Sequence, residues 1–220
     1  MRWHRPGVGL MMPTQFIDIA EQSGLISEMG GWAIGEVCRQ MRSWRAAGVP
    51  LDTLNVNVSS VQLADDAFEG TVANALSDSG LDPACLTLEV TESALIERLD
   101  DGIERLKRLR TLGVRIMIDD FGTGYASLKY LKMLPVDGLK IDRMFVKDLP
   151  DSPTDEAIIA AVVSLVRASG FKLVAEGVET EGQASARRRN SRKNLARFCG
   201  RAIPPRHISP KADRGGIWSR

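Results

Sequence analysis

Apolar residues follow two alternating patterns between residues 13 and 180. Some segments repeat them every three or four positions, which predicts amphipathic helices, and shorter segments are nearly continuous apolar runs, which predicts buried strands. The predicted helices are Pro13–Ser23, Gly31–Ala47, Asp66–Ser79, Asp100–Leu112 and Thr154–Ser169, and the predicted strands are residues 51–60, 85–93, 114–120, 138–146 and 171–179. Strands that alternate with helices indicate a parallel α/β sheet with right-handed crossovers.

The first two predicted helices each have an apolar face that we expect to be buried. These faces comprise Phe16, Ile19 and Ala20 in the first helix, and Trp32, Val37, Met41 and Trp44 in the second. Pro13 at the start of the first helix and Gly48 after the second occupy positions that these residues favour at helix ends.

Residues 13–180 contain neither a fixed-period repeat nor a linker, so we expect one domain. Either an open doubly wound sheet or a (β/α)₈ barrel produces such an alternation. A dinucleotide-binding sheet normally has a glycine-rich turn after its first strand, and the sequence lacks one.

Polar residues recur near the carboxyl ends of five successive predicted strands. They are Asn57, Glu89, the adjacent pair Asp119 and Asp120, Lys140 and Glu176. In barrel enzymes, catalytic groups from several strands meet at that face. A single residue of this kind is often a strand-end cap, but five in series favour a functional site, because a sheet interior tolerates few charges.

The chemistry of this set favours hard divalent cations. The two histidines, His4 and His207, lie near the ends of the chain, so a histidine ligand set is excluded. Carboxylate and amide oxygens suit Mg²⁺ or Mn²⁺ better than zinc. Asp119 and Asp120 repel each other unless cations lie against them. Two ions about 4 Å apart can activate water and stabilise the leaving oxygen of a phosphodiester, and Lys140 could orient that water.

Composition agrees with an ordinary globular protein, with 44% hydrophobic and 26% charged residues. The sequence has neither an apolar run long enough to span a membrane nor a signal-peptide core. Cys38, Cys85 and Cys199 have spacings that suit neither zinc nor a disulfide framework, so we expect reduced thiols and a cytoplasmic location.

Five motifs carry a resemblance to a known family. LNVNVS, LEVTES, IDDFGTGYASL, GLKID and VAEGVE resemble, in this order and spacing, the EAL domain of bacterial cyclic di-GMP phosphodiesterases. The resemblance covers residues 1–183. It implies a modified TIM barrel that hydrolyses one phosphodiester of cyclic di-GMP, giving linear pGpG, with two Mg²⁺ or Mn²⁺ ions.

The resemblance also implies roles for individual residues. Asn57, Glu89, Asp119 and Asp120 are expected to be metal ligands, Glu176 to act at the metal centre, Lys140 to contact the attacking water, Glu92 to stabilise the loop 121–128, Glu179 to support the site, and Arg2 to contact a substrate phosphate. A homodimer through the region of loop 121–128 is a further expectation.

Two departures from the family pattern affect the expected activity. The glutamate of the Glu-Ala-Leu triplet lies four residues before the arginine that Arg2 resembles, so it would precede Met1. After Gln183 the family's final helix and strand are not recognisable. We therefore expect an incomplete barrel without its first and last strands, and a weak or inactive enzyme.

Residues 184–220 differ in composition from the rest of the chain. They contain eleven Lys or Arg residues and the single acid Asp213. Because the whole chain has a net charge of +1, residues 1–183 are net negative. A basic segment can bind nucleic acid. However, an abrupt change just after a good match is typical of a disordered or frameshifted tail, so we do not expect nucleic-acid binding.

Two other functions remain open from the sequence. A degenerate module could bind cyclic di-GMP or a partner protein without hydrolysis. An unrelated barrel enzyme, such as an enolase-type lyase, also places acids at strand ends and uses a lysine base. The adjacent pair Asp119–Asp120 and the glycine-rich loop after it fit the lyase poorly.

Overall fold

The computed structural model describes residues 1–96, 99–123, 131, 133–180 and 182–183. The predicted tail 184–220 and most of the loop expected to mediate dimerisation lie outside the described residues. Their predicted roles therefore stay predictions.

Strands and helices alternate through most of the described chain. The strands are β1 Trp3–Arg5, β2 Gly9–Met11, β3 Leu54–Val58, β4 Leu86–Thr91, β5 Arg115–Phe121, β6 Gly138–Ile141 and β7 Lys172–Ala175. The helices are α1 Ile17–Gln22, α2 Leu25–Ala46, α3 Ser60–Ala64, α4 Phe68–Ser79, α5 Glu92–Ile96, α6 Leu99–Thr111 and α7 Pro153–Ala168. The alternation that the sequence predicts is present.

Strands β3 to β7 form one parallel sheet in the order β3-β4-β5-β6-β7. Each neighbouring pair is also consecutive among the sheet strands along the chain, as right-handed crossovers produce in a barrel. Strands β3 and β7 are the edges of the sheet among the described residues. The described strands thus form an incomplete ring.

The two faces of the sheet have different compositions. One face is apolar and buried, with Leu86, Leu88 and Val90 on β4, Ile116 and Ile118 on β5, Leu139 and Ile141 on β6, and Leu173 on β7. These residues belong to the main hydrophobic core, which also contains buried residues of the helices. The opposite face carries the polar side chains, because side chains alternate along a strand.

The first two helices differ from the sequence prediction. Residues Pro13–Gln15 form a 3-10 turn before α1, and α2 begins at Leu25 after Gly24, which has a φ of 76°. Phe16 and Ala20 are buried as expected, but Ile19 is exposed.

The buried face of α2 also differs from the prediction. It comprises Ile26, Ile34, Cys38 and Met41, whereas Trp32 and Trp44 are exposed. The prediction was wrong for the two tryptophans because helical spacing identifies an apolar stripe but not which edge of the stripe meets the sheet.

Strands β1 and β2 form an antiparallel hairpin that the sequence patterns did not predict. Each strand is three residues long, too short for a periodic signal. Across the described residues, the helices are all too short or too polar to cross a membrane.

Candidate metal centre

A β-bulge explains how the adjacent carboxylates Asp119 and Asp120 reach one site. Between β5 and β6, Ile118 pairs with Leu139 and Phe121 pairs with Ile141, so β5 contains one extra residue. Asp120 has a φ of 53°, in the left-handed region. In a regular strand the two side chains would point to opposite faces, and the bulge redirects them.

Lys140 lies at the centre of the polar face and joins three strands. Its ammonium Nζ is 2.7 Å from Glu89 Oε2 on β4, 2.9 Å from Asp119 Oδ2 on β5 and 2.6 Å from Glu176 Oε1 just after β7. Lys140 and Glu89 are both buried. The structure therefore brings together four of the residues that the sequence predicts for the site.

The protonation of Lys140 follows from these contacts. Burial by itself lowers the pKa of a lysine, but hydrogen bonds to Glu176, Glu89 and Asp119 outweigh it and raise the pKa of Lys140 above its ordinary value. Lys140 is therefore a cation at neutral pH. One ammonium cannot neutralise three carboxylates, so the site keeps a net negative charge.

Asp120 lies in an unfavourable environment for a negative charge. Burial, the charge of Asp119 and a hydrogen bond with Asp142 raise the pKa of the Asp120 carboxyl. Asp142 follows β6 directly and was not predicted as a site residue, although its position after a buried strand was a visible signal. A cation beside these carboxylates would relieve their repulsion.

The donor set fits a hard divalent cation. Carboxylate oxygens of Asp119, Asp120 and Glu176 lie within 4.8 Å of one another. All three donors are oxygens, as Mg²⁺ and Mn²⁺ prefer, and three such oxygens can converge on one ion after small side-chain movements.

Glu89 has a hydrogen-bond partner that the sequence did not indicate. Asn55 Nδ2 donates to Glu89 Oε1 at 2.5 Å. Asn57, the predicted ligand, is exposed and lies directly opposite Glu89 in the register of β3 and β4. Both asparagines are on the polar face, so strand alternation alone does not distinguish them.

Glu92 contacts the start of the loop after β5. Its carboxylate Oε2 accepts a hydrogen bond of 2.8 Å from the backbone N–H of Gly122, which has a φ of 101°. Glu92 itself is buried at the beginning of α5. This contact suits the predicted role of holding the loop, most of which lies outside the described residues.

The two remaining predicted residues lie apart from the ion pairs of Lys140. Glu179 is exposed and pairs with Arg143 at 3.2 Å. Arg2 precedes the hairpin and lines an apolar cavity of about 590 Å³ with Trp3, Phe16 and other residues of β1, β2, α1 and α2. Their predicted roles stay predictions.

Comparison with known proteins identifies the family. Residues 1–190 match the model of the EAL domain family. The chain belongs to the EAL-domain family. The predicted family is therefore confirmed.

Relatives of this EAL chain include two proteins of Pseudomonas aeruginosa. The bifunctional diguanylate cyclase/cyclic di-GMP phosphodiesterase MucR is 44% identical over 209 residues, which are 94% of this chain and 30% of MucR. The cyclic di-GMP phosphodiesterase NbdA is 43% identical over 190 residues, 86% of this chain and 24% of NbdA. The chain thus spans less than a third of the length of these relatives.

Solved structures support the same fold. The PaMucR phosphodiesterase in its c-di-GMP complex is similar with a TM-score of 0.82 and 46% identity, covering 86% of this chain and 77% of that chain. Together with the parallel sheet of five strands, this confirms the predicted EAL-type α/β barrel in incomplete form.

Proposed function

We propose that the chain binds cyclic di-GMP and hydrolyses it to linear pGpG with two Mg²⁺ or Mn²⁺ ions. The observation that carries the proposal is the buried Lys140 ammonium, which contacts carboxylates from three strands at one end of the sheet. The names of MucR and NbdA as cyclic di-GMP phosphodiesterases and the c-di-GMP complex of PaMucR support this substrate.

Different residues of the chain hold the ions and orient the reactants in this proposal. In the proposal, Asn57, Glu89, Asp119 and Asp120 hold the ions, and Glu176 acts at the same centre directly or through water. When bound, divalent cations supply Lewis acidity and lower the pKa of water. Lys140 contacts the attacking water and offsets negative charge that develops on the phosphorus oxygens. Arg2 binds a substrate phosphate.

The reaction consumes one water molecule. The water oxygen attacks one phosphorus atom, the bond from that phosphorus to a ribose oxygen breaks, and the ribose oxygen takes up a proton. A single opened diester gives pGpG. Loss of a residue that holds the ions would be costly, because bound divalent cations would supply stabilisation of the charge on the reacting oxygens.

The open sheet limits the activity that we propose. Among the described residues, β3 and β7 are the unpaired edges of the sheet, and Asn57 on β3 is exposed. We therefore propose slow hydrolysis by the 220-residue chain. The same exposed edge favours a second candidate function, binding of cyclic di-GMP without turnover.

Chromatographic detection of pGpG, with calorimetry of cyclic di-GMP binding, tests the proposal. The chain should form pGpG when Mn²⁺ is present and stop when the metal is chelated. Asp119→Asn should lower the rate at least about 100-fold, and Asp78→Asn, at an exposed position on α4, should leave it unchanged.

The outcomes separate the candidates. Binding without turnover favours the second function. If the chain neither binds nor hydrolyses cyclic di-GMP, the proposal is wrong. Hydrolysis of a generic diester without preference for cyclic di-GMP favours an unrelated barrel enzyme.

A further inference from the structure

Asn55 on β3 contacts the candidate metal centre through Glu89. In the register of the sheet, Asn55 pairs with Thr87, two residues before Glu89 on β4. Its amide reaches diagonally across to Glu89, and Nδ2 donates to Oε1 at 2.5 Å. Diagonal neighbours on one face of a sheet are within reach of long side chains. Among the described residues, this bond to Glu89 comes from Asn55 and not from Asn57.

The two oxygens of Glu89 have different partners. Oε1 accepts from Asn55, and Oε2 accepts from Lys140 at 2.7 Å. The carboxylate is buried and is held from both sides, so its rotation about the last side-chain bond is restricted. Without Asn55, Lys140 would be the remaining partner of this carboxylate among the hydrogen bonds of the described residues, and Lys140 also binds Asp119 and Glu176.

We propose that Asn55 is a positioning residue that orients Glu89 for binding of a divalent cation. The inference rests on the proposed function. A carboxylate oxygen has two lone pairs, so Oε1 can accept from Asn55 while Glu89 still offers lone pairs to an ion. Hydrogen-bond partners that orient metal ligands typically change metal affinity about 10–100-fold when they are removed.

The alternative is that the Asn55 bond only strengthens the pairing of β3 with β4. The two explanations predict different measurements. A purely structural bond affects the melting temperature and leaves Mn²⁺ affinity unchanged. A positioning bond affects Mn²⁺ affinity. Because Asn55 is exposed, its loss can do so without a large change in the melting temperature.

Mn²⁺ binding by the full 220-residue chain, measured by calorimetry, tests the proposal without relying on hydrolysis. Asn55→Ala should weaken Mn²⁺ binding about 10–100-fold. Asn55→Gln, which keeps an amide donor, should recover most of that loss. Asn74→Ala removes an exposed asparagine from α4 and should bind Mn²⁺ like the parent.

A double-mutant cycle with Glu89→Ala tests whether Asn55 acts through Glu89. In the Glu89→Ala chain, adding Asn55→Ala should change Mn²⁺ affinity less than about twofold, well below the loss that the same substitution causes in the parent. An equal loss in both backgrounds overturns the proposal, as does unchanged affinity in Asn55→Ala alone. If Glu89→Ala does not fold, recovery by Asn55→Gln decides. A parent that binds no Mn²⁺ overturns the proposed function as well.

Discussion

Lys140 stabilises the candidate metal centre because its ammonium lies among three carboxylates. Replacing Lys140 with Gln leaves those charges uncompensated in a largely buried position. We expect Lys140→Gln to lower the free energy of unfolding by about 3–5 kcal/mol, the usual cost of breaking a buried ion pair. Added Mn²⁺ should recover part of the loss, because cations replace the missing positive charge. Chemical denaturation with and without Mn²⁺ measures both effects.

Lys107→Gln is the matched control for this experiment. Lys107 is exposed on α6 and pairs with Glu104. Exposed pairs contribute up to about 1 kcal/mol, so the control should stay within that limit. If Lys140→Gln is no less stable than Lys107→Gln, the electrostatic role of Lys140 is wrong.

Asp120 should destabilise the metal-free protein, since Asp119, Asp142 and Glu176 surround it with negative charge. Asp120→Asn removes one charge, and asparagine tolerates the left-handed backbone at this position. We expect a higher melting temperature without metal and a smaller increase on adding Mn²⁺. A melting temperature below that of the parent in metal-free buffer contradicts this expectation.

At the residue scale, the sequence indicated most of the site but not all its contacts. Glu89, Asp119, Lys140 and Glu176 were predictable because each interrupts or follows an apolar run at the end of a strand. The contact of Asn55 with Glu89 was not, because it depends on how far a side chain reaches diagonally across two strands.

At the element scale, two of the three glycines in α2, Gly30 and Gly35, differ in their surroundings. A Cβ at Gly30 would overlap the side-chain amide of Gln62, whereas a Cβ at Gly35 has no neighbour within 4 Å among the described residues. Gly35→Ala should raise the free energy of unfolding by about 0.5–1 kcal/mol. Gly30→Ala should lower it by about 1–3 kcal/mol, because buried Gln62 must move.

Shortening Gln62 should remove its overlap with a Cβ at position 30. Its Oε1 accepts from the backbone N–H of Ser59 in the cap of α3, which limits its movement. Gly30→Ala should therefore lower the free energy of unfolding less in a Gln62→Ala chain than in the parent. Urea denaturation of the parent, Gly30→Ala, Gln62→Ala and the double variant measures this difference. Equal effects of Gly30→Ala in both backgrounds contradict it, and equal effects of Gly30→Ala and Gly35→Ala in the parent contradict the prediction for α2.

The strands could be predicted well because their apolar runs are buried against helices. The bulge at Asp119 and Asp120 could not, since it is defined by a shift in pairing between β5 and β6. The exposure of Trp32 also could not be predicted from the sequence. Helical periodicity does not show which part of an apolar face contacts the sheet.

At the scale of the whole molecule, the site joins strands that are far apart in sequence, from Glu89 on β4 to Glu176 after β7. A cation that binds there stabilises the fold as a unit. At Mn²⁺ concentrations about 100 times the dissociation constant, the gain is about 2.7 kcal/mol. For a chain of this size, we expect the melting temperature to rise by about 5–10 °C.

Thermal denaturation with and without Mn²⁺ measures this rise. Asp78→Asn should show the same rise as the parent, because its side chain is exposed on α4. A rise of equal size in Asp119→Asn contradicts the assignment of the site.

The most direct test of the account is electron paramagnetic resonance of Mn²⁺ bound to the parent chain and to Asp119→Asn. The account predicts that the parent binds two Mn²⁺ ions close enough for their spins to couple, and that Asp119→Asn loses the coupled signal. Isolated, uncoupled Mn²⁺ in the parent, or an unchanged spectrum in Asp119→Asn, would contradict the claim that these strand-end carboxylates hold a pair of divalent cations.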